Sequence, residues 1–116
     1  MRVAGFGFRS GTGLGSLLAA LSVAGPVEAI ATVQAKADGL RQLADHLHLP
    51  LIAVSRAELT LHPRPGSPRV EALYGTGSVA ESSALAAAGQ GAVLVMGRTT
   101  SADKRAVVAV AEGPGA

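Results

Sequence analysis

Apolar and polar residues alternate in blocks along the 116-residue chain. Short continuous apolar runs, typical of buried strands, are separated by segments in which Leu and Ala recur every three or four residues, as in amphipathic helices. This pattern predicts strands over residues 2–8, 29–32, 51–54, 70–74, 92–96 and 106–111. It predicts helices over residues 14–24, 33–47 and 78–88. Residues 56–61 are ambiguous and fit one helical turn at most.

Strands that alternate with helices favour a mainly parallel sheet covered on both faces. The predicted fold class is therefore α/β, a three-layer α/β/α single domain whose mixed, mainly parallel sheet has about five or six strands. The polar connection 97–104 lacks a helix, so we expect the last strand to be antiparallel and to lie at an edge. The chain shows no internal repeat and no linker, and residues 1–116 are expected to form one domain.

Composition narrows the classes of function. Hydrophobic residues make up 48% of the chain, which argues against disorder, and the absence of Cys excludes a disulfide framework and favours the reducing cytoplasm. No apolar stretch approaches the roughly 20 residues of a membrane helix, and Gly5, Gly7 and Arg9 interrupt any signal peptide. A net charge of +2, scattered basic residues and three aromatic residues are atypical of nucleic-acid binding. We therefore expect a cytoplasmic protein with no membrane and no nucleic-acid partner.

Ligands of open α/β sheets bind outside the carboxyl ends of the strands. Basic and hydroxyl residues recur among the positions that follow the predicted strands, together with glycines, and Glu81 is the only acid among the nearest positions. Such an edge is rich in hydrogen-bond donors and poor in acceptors, which suits carboxylates or phosphates. The predicted ligand-binding residues are Gly7, Arg9, Ser10, Gly11, Thr32, Lys36, Gly75, Thr76, Gly77, Ser78, Arg98 and Ser101.

Two segments, residues 7–15 and 75–78, have the order strand, glycine loop, helix. Glycine lets the backbone approach a ligand, and the helix start behind it supplies unpaired N–H groups. The alternative for each loop is that its glycines only make a tight turn. Lys36 lies at a predicted helix start, where a cation is unfavourable, so it is either a ligand contact or a solvated side chain.

Known motifs match only in part. Residues 5–10 approximate the dinucleotide fingerprint, but Ser10 stands where the third glycine belongs. Ser78 and Glu81 fit a capping box, in which Ser78 caps the helix and Glu81 returns to the Ser78 N–H. Glu81 and Ser10 are the alternative candidates for catalytic acid or base.

The remaining polar groups predict no metal site and no cofactor. The three histidines, His46, His48 and His62, form no convincing ligand cluster, and surface roles are the better interpretation. The proline-rich segment 62–69 cannot form regular structure and is either a basic lid or a plain solvated loop.

Four blocks of sequence together resemble a known family. They are Gly5-Phe6-Gly7-Phe8-Arg9-Ser10-Gly11, then Ala31-Thr32 with Lys36-Ala37, then Gly75-Thr76-Gly77-Ser78-Val79-Ala80-Glu81 followed by Ala84-Leu85 and Gly89, and finally Ser101 with strand 106–111. They are similar to the C-terminal domain of cobalt-precorrin-5A hydrolase, in the CobE/CbiG C-terminal domain family. The likeness covers nearly the whole chain, and the Gly75–Glu81 block is its most specific part. The chain looks like the short stand-alone members, which serve the aerobic cobalamin pathway.

The resemblance implies a role in cobalamin (vitamin B12) biosynthesis and a precorrin-type tetrapyrrole as ligand. Such a ring carries many acetate and propionate groups, in agreement with the donor-rich edge. Long family members open a ring lactone with loss of acetaldehyde, and they carry an N-terminal part without a counterpart in these 116 residues. We therefore expect a binding protein for a polyanionic precorrin or corrin intermediate, acting as carrier or as accessory to other pathway enzymes. The alternatives are an enzyme acting on the macrocycle and a nucleotide-binding regulatory domain.

Overall fold

A five-stranded sheet lies at the centre of the protein, in a computed structural model that describes residues 1–115. The strands are β1 (Arg2–Phe8), β2 (Ala29–Val33), β3 (Leu51–Val54), β4 (Val93–Thr100) and β5 (Ala106–Glu112), in the spatial order β3-β2-β1-β5-β4. The helices are α1 (Leu14–Ser22), α2 (Arg41–Leu47), α3 (Arg56–Thr60), α4 (Pro68–Tyr74) and α5 (Val79–Ala88), with a 3₁₀ segment at Gln34–Leu40.

The direction of the strands brings several chain segments to one edge of the sheet. β1 pairs in parallel with β2, and β2 with β3, whereas β5 is antiparallel to both β1 and β4. Four of the five strands therefore run the same way, and their carboxyl ends lie at the same edge as the beginning of β5. The predicted α/β class with a mixed, mainly parallel sheet is confirmed.

Helices cover both faces of the sheet, as the three-layer prediction requires. On one face, α1 and α2 pack over Phe6, Ile30 and Val108 in a cluster of buried apolar side chains. On the other face, α5 packs over β1 with a surface of alanines. Gly5 in β1 allows this close approach, because a Cβ atom there would overlap the backbone of α5 at Ala80 and Ala84.

The predicted strand at residues 70–74 is wrong, because these residues form the helix α4. Ser67 caps it, with its hydroxyl oxygen accepting from the Val70 N–H at 3.4 Å, and Pro68 occupies the first turn, where its missing N–H costs nothing. Gly75 ends the helix in the left-handed conformation, with φ 76°. These local signals for a helix outweigh the short apolar run.

The end of the sheet also differs from the prediction. The last strand, β5, is antiparallel as expected, but it lies between β1 and β4, and β4 takes the edge position. The predicted polar loop 97–104 is shorter, because β4 continues to Thr100 and pairs with β5. The continuation is irregular, with register shifts between Leu94 and Thr99, so the polar residues there did not show the alternation of a regular strand.

Residues 33–47 do not form one continuous helix. A 3₁₀ segment ends at Leu40 and α2 follows, with Leu40 at φ −104° and ψ −2° between them. Gly39 explains the tight packing of this segment, since a Cβ atom at Gly39 would overlap the ring of Phe8.

Candidate functional site

A cavity of about 310 Å³ opens at the edge of the sheet where the parallel strands end. Its wall comes from β1, the end of β2, the 3₁₀ segment, α4, the start of α5, β4 and the β4–β5 turn. The lining residues are Gly7, Phe8, Arg9, Thr32, Val33, Lys36, Ser67, Val70, Tyr74, Gly77, Ser78, Val79, Ala80, Arg98, Lys104, Arg105 and Val107.

All charged residues that line this cavity are cations. Five of the ten Lys and Arg residues of the chain line it, and the lining residues include no Asp or Glu. The cations are mostly exposed and lie at the rim, whereas Val33 and Val79 are buried in the wall. A cavity with an apolar wall and a cationic rim attracts organic anions and can also bury apolar parts of them.

Lys36 is held over the wall of the cavity by two contacts. Its Nζ donates to Ser10 Oγ at 3.0 Å and lies 5.1 Å from the centre of the Phe8 ring. A cation over an aromatic face is attracted by the ring quadrupole. Lys36 is therefore oriented by its neighbours and half-buried, unlike a freely solvated lysine.

The β4–β5 turn carries two further cations, Lys104 and Arg105, and Asp103 organises it. Asp103 Oδ1 accepts from Ser101 Oγ at 2.6 Å and from the Arg105 N–H at 3.1 Å, and Oδ2 accepts from the hydroxyl of Ser16 in α1. These bonds, led by the one from Ser101, lower the pKa of Asp103 to about 2 because they favour the ionised form. The carboxylate thus fastens the turn to α1.

The proline-rich loop lies against the glycine loop that precedes α5. The Gly77 N–H donates to the Arg64 carbonyl at 2.8 Å, and the Ser67 N–H donates to the Gly77 carbonyl at 2.9 Å. Thr76 Oγ1 accepts from the Arg64 N–H at 2.9 Å. A Cβ atom at Gly77 would overlap the backbone at Gly66 and Arg64, so glycine is required here for contact between two loops. The segment is therefore attached through its backbone to the glycine loop, while residues 65–67 stay exposed, and Pro68 and Arg69, predicted to be irregular, begin α4.

The beginning of α5 adds donors to the cavity wall. Ser78 caps the helix, with its Oγ accepting from the Glu81 N–H at 3.2 Å. The N–H groups of Val79 and Ala80, the first two helical residues, have no acceptor within the helix, and both residues line the cavity. Their partial positive charge adds to that of the cationic rim.

Glu81 completes only half of the predicted capping box. Its carboxylate does not return to the Ser78 N–H; Oε1 accepts from Arg64 Nε at 3.2 Å and Oε2 from the Arg98 N–H at 3.1 Å. The reason is tertiary, because the proline-rich loop and β4 bring stronger or better placed donors to a side chain that is only 9% exposed. A charge-assisted bond to a guanidinium is stronger than one to a neutral amide.

The structure places most of the predicted ligand-binding residues together. Seven of them line the cavity, namely Gly7, Arg9, Thr32, Lys36, Gly77, Ser78 and Arg98. Of these, Thr32 donates its hydroxyl to the Phe6 carbonyl at 2.8 Å, a bond within the sheet. The ligand-binding role of all these residues stays a prediction.

The other five predicted residues do not line the cavity. Ser10 and Gly11 lie in the exposed loop after β1, where Ser10 accepts from Lys36. Gly75 ends α4, and Thr76 is buried in hydrogen bonds to Arg64 and Ser82. Ser101 serves the β4–β5 turn, where its Oγ accepts from the Ala106 N–H at 3.2 Å.

Several residues that line the cavity were not predicted from the sequence. Tyr74 and Val70 were placed in a strand, so their helical face toward the cavity was missed. Lys104 and Arg105 precede the antiparallel β5, and the beginning of such a strand lies at the carboxyl edge of its neighbours. The expected reversal of the last strand was therefore the available signal for these two cations.

Sequence comparison assigns the chain to a family. The family model described as Cobalamin synthesis G C-terminus matches residues 2–111. The chain belongs to this family. A comparison with curated protein sequences finds no match.

Two solved structures extend the family assignment to the fold. CobE, described as a protein from the cobalamin (vitamin B12) biosynthetic pathway, is similar with 32% identity and a TM-score of 0.80, over 96% of this chain and 89% of CobE. The cobalamin biosynthesis protein chiG from Agrobacterium tumefaciens strain C58 has 32% identity and a TM-score of 0.78, over 98% of this chain and 99% of the other. By family and fold, this member is a cobalamin biosynthesis protein.

Two kinds of structure are absent from residues 1–115. No helix in this part of the chain is long and apolar enough to cross a membrane. The same residues include no group of three or more His, Asp or Glu side chains placed to hold a metal ion.

Proposed function

We propose that this protein binds a polyanionic precorrin-type intermediate of cobalamin biosynthesis in the cavity, as a carrier or as an accessory to the pathway enzymes. The observation that carries the proposal is the grouping of half of the chain's Lys and Arg residues around one cavity whose lining includes no acid. Acetate and propionate groups of the ring pair with Arg9, Arg98 and the β4–β5 turn. We place this role in the cytoplasm, in line with the absence of Cys.

The apolar wall suits the ring itself. Phe8, Val70, Tyr74 and Val107 line the cavity between the cations, and they offer apolar surface to the edge of a macrocycle. Tyr74 is also the only Tyr of a chain without Trp, and its hydroxyl forms no hydrogen bond among residues 1–115. It is available to donate to a ligand carboxylate.

The size of the cavity favours a carrier or accessory role. A volume of about 310 Å³ is at the lower end of the range for pockets that enclose drug-sized ligands, and a carboxylated tetrapyrrole is larger than these. The protein therefore holds the ring by one side and leaves the remainder accessible to an enzyme.

The candidate catalytic residues fit binding better than turnover. Both carboxylate oxygens of Glu81 already accept hydrogen bonds from the protein, and Ser10 Oγ accepts from Lys36 Nζ outside the cavity lining. A general acid or base must reach the reacting group directly or through one water.

Titration with hydrogenobyrinic acid tests the proposal. We expect a change in the visible absorption of the ring and quenching of the single Tyr fluorescence. Arg98→Ala should weaken binding about tenfold, as expected for loss of one charge-assisted contact. Arg56→Ala is the matched control, because Arg56 lies after β3 and outside the cavity lining.

The fully esterified acid, which has lost its charges, should bind much more weakly. Absence of binding by the wild-type protein, or equal binding of acid and ester, contradicts the proposal.

A further inference from the structure

Glu81 is a buried carboxylate beside the cavity, and it does not line the cavity itself. The residue is 7% exposed. A carboxylate withdrawn from water is costly unless it is paired and hydrogen-bonded. The bonds to Arg64 Nε and to the Arg98 N–H satisfy one oxygen each, so the side chain is held in a single orientation.

The bonds of Glu81 join three segments, and each segment contributes to the cavity wall. Glu81 itself lies in α5, whose first residues, Val79 and Ala80, are lining residues. Arg64 belongs to the proline-rich loop that continues to Ser67 in the wall. Arg98 lines the cavity from β4.

The bond to Arg98 is important because the sheet does not hold this part of β4. The register with β5 shifts between Met96 and Thr99, so Gly97 and Arg98 have no partner in the ladder. Irregularities of this kind change the direction of a side chain and interrupt the ladder of hydrogen bonds locally. The Arg98 N–H donates instead to Glu81 Oε2, and this bond fixes the backbone at Arg98.

We propose that Glu81 is a positioning residue of the cavity. Its carboxylate holds Arg98 at the wall and the proline-rich loop against α5, and through both it sets the affinity for an anionic ligand. The predicted changes in ligand affinity rest on the proposed function. The hydrogen exchange of the Arg98 amide tests the geometry without a ligand. The competing interpretation is that Glu81 contributes only to the free energy of unfolding.

Glu81→Gln separates the two interpretations, because it keeps the shape of the side chain. An amide offers one acceptor and one donor group, so it cannot accept from both Arg64 Nε and the Arg98 N–H in the same orientation. We expect the affinity for hydrogenobyrinic acid to fall about tenfold, the loss expected for one hydrogen bond to a charged group. Glu112→Gln is the matched control, because it breaks another Glu–Arg pair of 3.2 Å at the opposite end of the sheet. Unchanged affinity in a folded Glu81→Gln protein overturns the inference.

Double variants test whether Glu81 acts through Arg98. After Arg98→Ala, the further loss of affinity caused by Glu81→Gln should be clearly smaller than tenfold, because the group that Glu81 positions is gone. Combined with Arg9→Ala, which removes a cation from β1's end, the two losses should add. Full additivity with both partners contradicts positioning through Arg98.

Amide hydrogen exchange gives a measurement that needs no ligand. In Glu81→Ala, which removes both acceptor oxygens, the Arg98 amide should exchange at least tenfold faster than in the wild type, and in Glu112→Ala it should not change. Equal protection of Arg98 in all three proteins overturns the inference, whereas failure of the wild type to bind the acid overturns only the proposed function.

Arg64→Gln covers the case in which Glu81→Gln does not fold. The Arg64 side chain is 39% exposed, and its replacement leaves the Arg98 N–H bond to Glu81 intact. Loss of the loop anchor alone should weaken binding about threefold, less than in Glu81→Gln, because Arg98 keeps its bond to the Glu81 carboxylate. Wild-type affinity in folded Arg64→Gln excludes the role of the loop.

Discussion

The basic side chains at the two ends of the sheet differ in their hydrogen bonds and ion pairs. At the end away from the cavity, Arg2 pairs with Glu112 at 3.2 Å and donates to the carbonyl groups of Pro26 and Ala24 at 3.1 Å each. At the cavity, the side chains of Arg9, Arg98, Lys104 and Arg105 form no hydrogen bond with residues 1–115. Arg2 therefore stabilises the fold, whereas the cations at the cavity remain available to bind a ligand.

This difference has a physical basis in the position of acids. Glu28 and Glu112 flank Arg2 at the far end, and Glu28 also accepts from the Arg2 N–H at 3.0 Å. Near the cavity, Glu81 and Asp103 are both occupied by structural bonds and do not face the lining. Asp103 attracts Arg105, but the cavity cations form no ion pair within residues 1–115, and their mutual repulsion costs stability and favours an anionic ligand.

Removal of several cavity cations should have the largest effect. Arg9→Ala, Arg98→Ala and Arg105→Ala in one protein should reduce the affinity for hydrogenobyrinic acid more than a hundredfold, because three contacts to carboxylates are lost. The midpoint of thermal unfolding should stay equal or rise, since like charges are removed. Binding titration and calorimetry provide the two measurements. A large fall in the unfolding midpoint would show that these cations serve the fold, as Arg2 does.

Gly77→Ala should cost about 1–3 kcal/mol of unfolding free energy, because its Cβ atom would overlap the backbone of the proline-rich loop. Gly15→Ala is the control, because Gly15 lies within α1 and no atom lies within 4 Å of its added Cβ atom. We expect Gly15→Ala to be neutral or to stabilise the protein by up to about 1 kcal/mol. Urea unfolding compares the two, and equal stability would contradict the close contact between the loops.

Arg2→Ala should lower the free energy of unfolding by about 1–2 kcal/mol, because several partly exposed hydrogen bonds are lost together. Its affinity for the acid should not change, because the residue lies at the opposite end of the sheet. Thermal unfolding and the same titration check both statements. Weakened binding by this variant would remove the distinction between the two ends.

Asp103→Asn should have the smallest effect, which depends on pH. The pKa of Asp103 is lowered to about 2 in the folded protein, so its stabilising contribution is complete above the unfolded pKa near 4. That contribution is lost as the pH falls from about 4 through 2, when the carboxylate is protonated. The wild type should therefore lose its stability advantage over Asp103→Asn in this window. Urea unfolding at pH 7, 4 and 2 measures it, and a constant difference would contradict the assignment.

Local signals were sufficient for much of the fold. The apolar runs of β1, β2 and β3 were placed within one residue, and Ser78 was correctly placed as the cap of α5. The edge rule for α/β sheets also brought Arg9, Lys36 and Arg98 to one region before their tertiary contacts were known. Residues 70–74 were misassigned because five residues with mixed polarity fit a strand and a short helix equally well.

The sequence by itself determined the alternation of strands and helices, the family and the excess of donors at one sheet edge, because these depend on residue types and their spacing along the chain. Tertiary structure decided which polar groups form hydrogen bonds within the protein and which remain free to bind a ligand. It turned Glu81 from Ser78 toward Arg64 and Arg98, inserted β5 beside β1 and brought Lys104 and Arg105 to the cavity. Such outcomes depend on donors and strands that are distant in sequence, and local spacing holds no information about their competition.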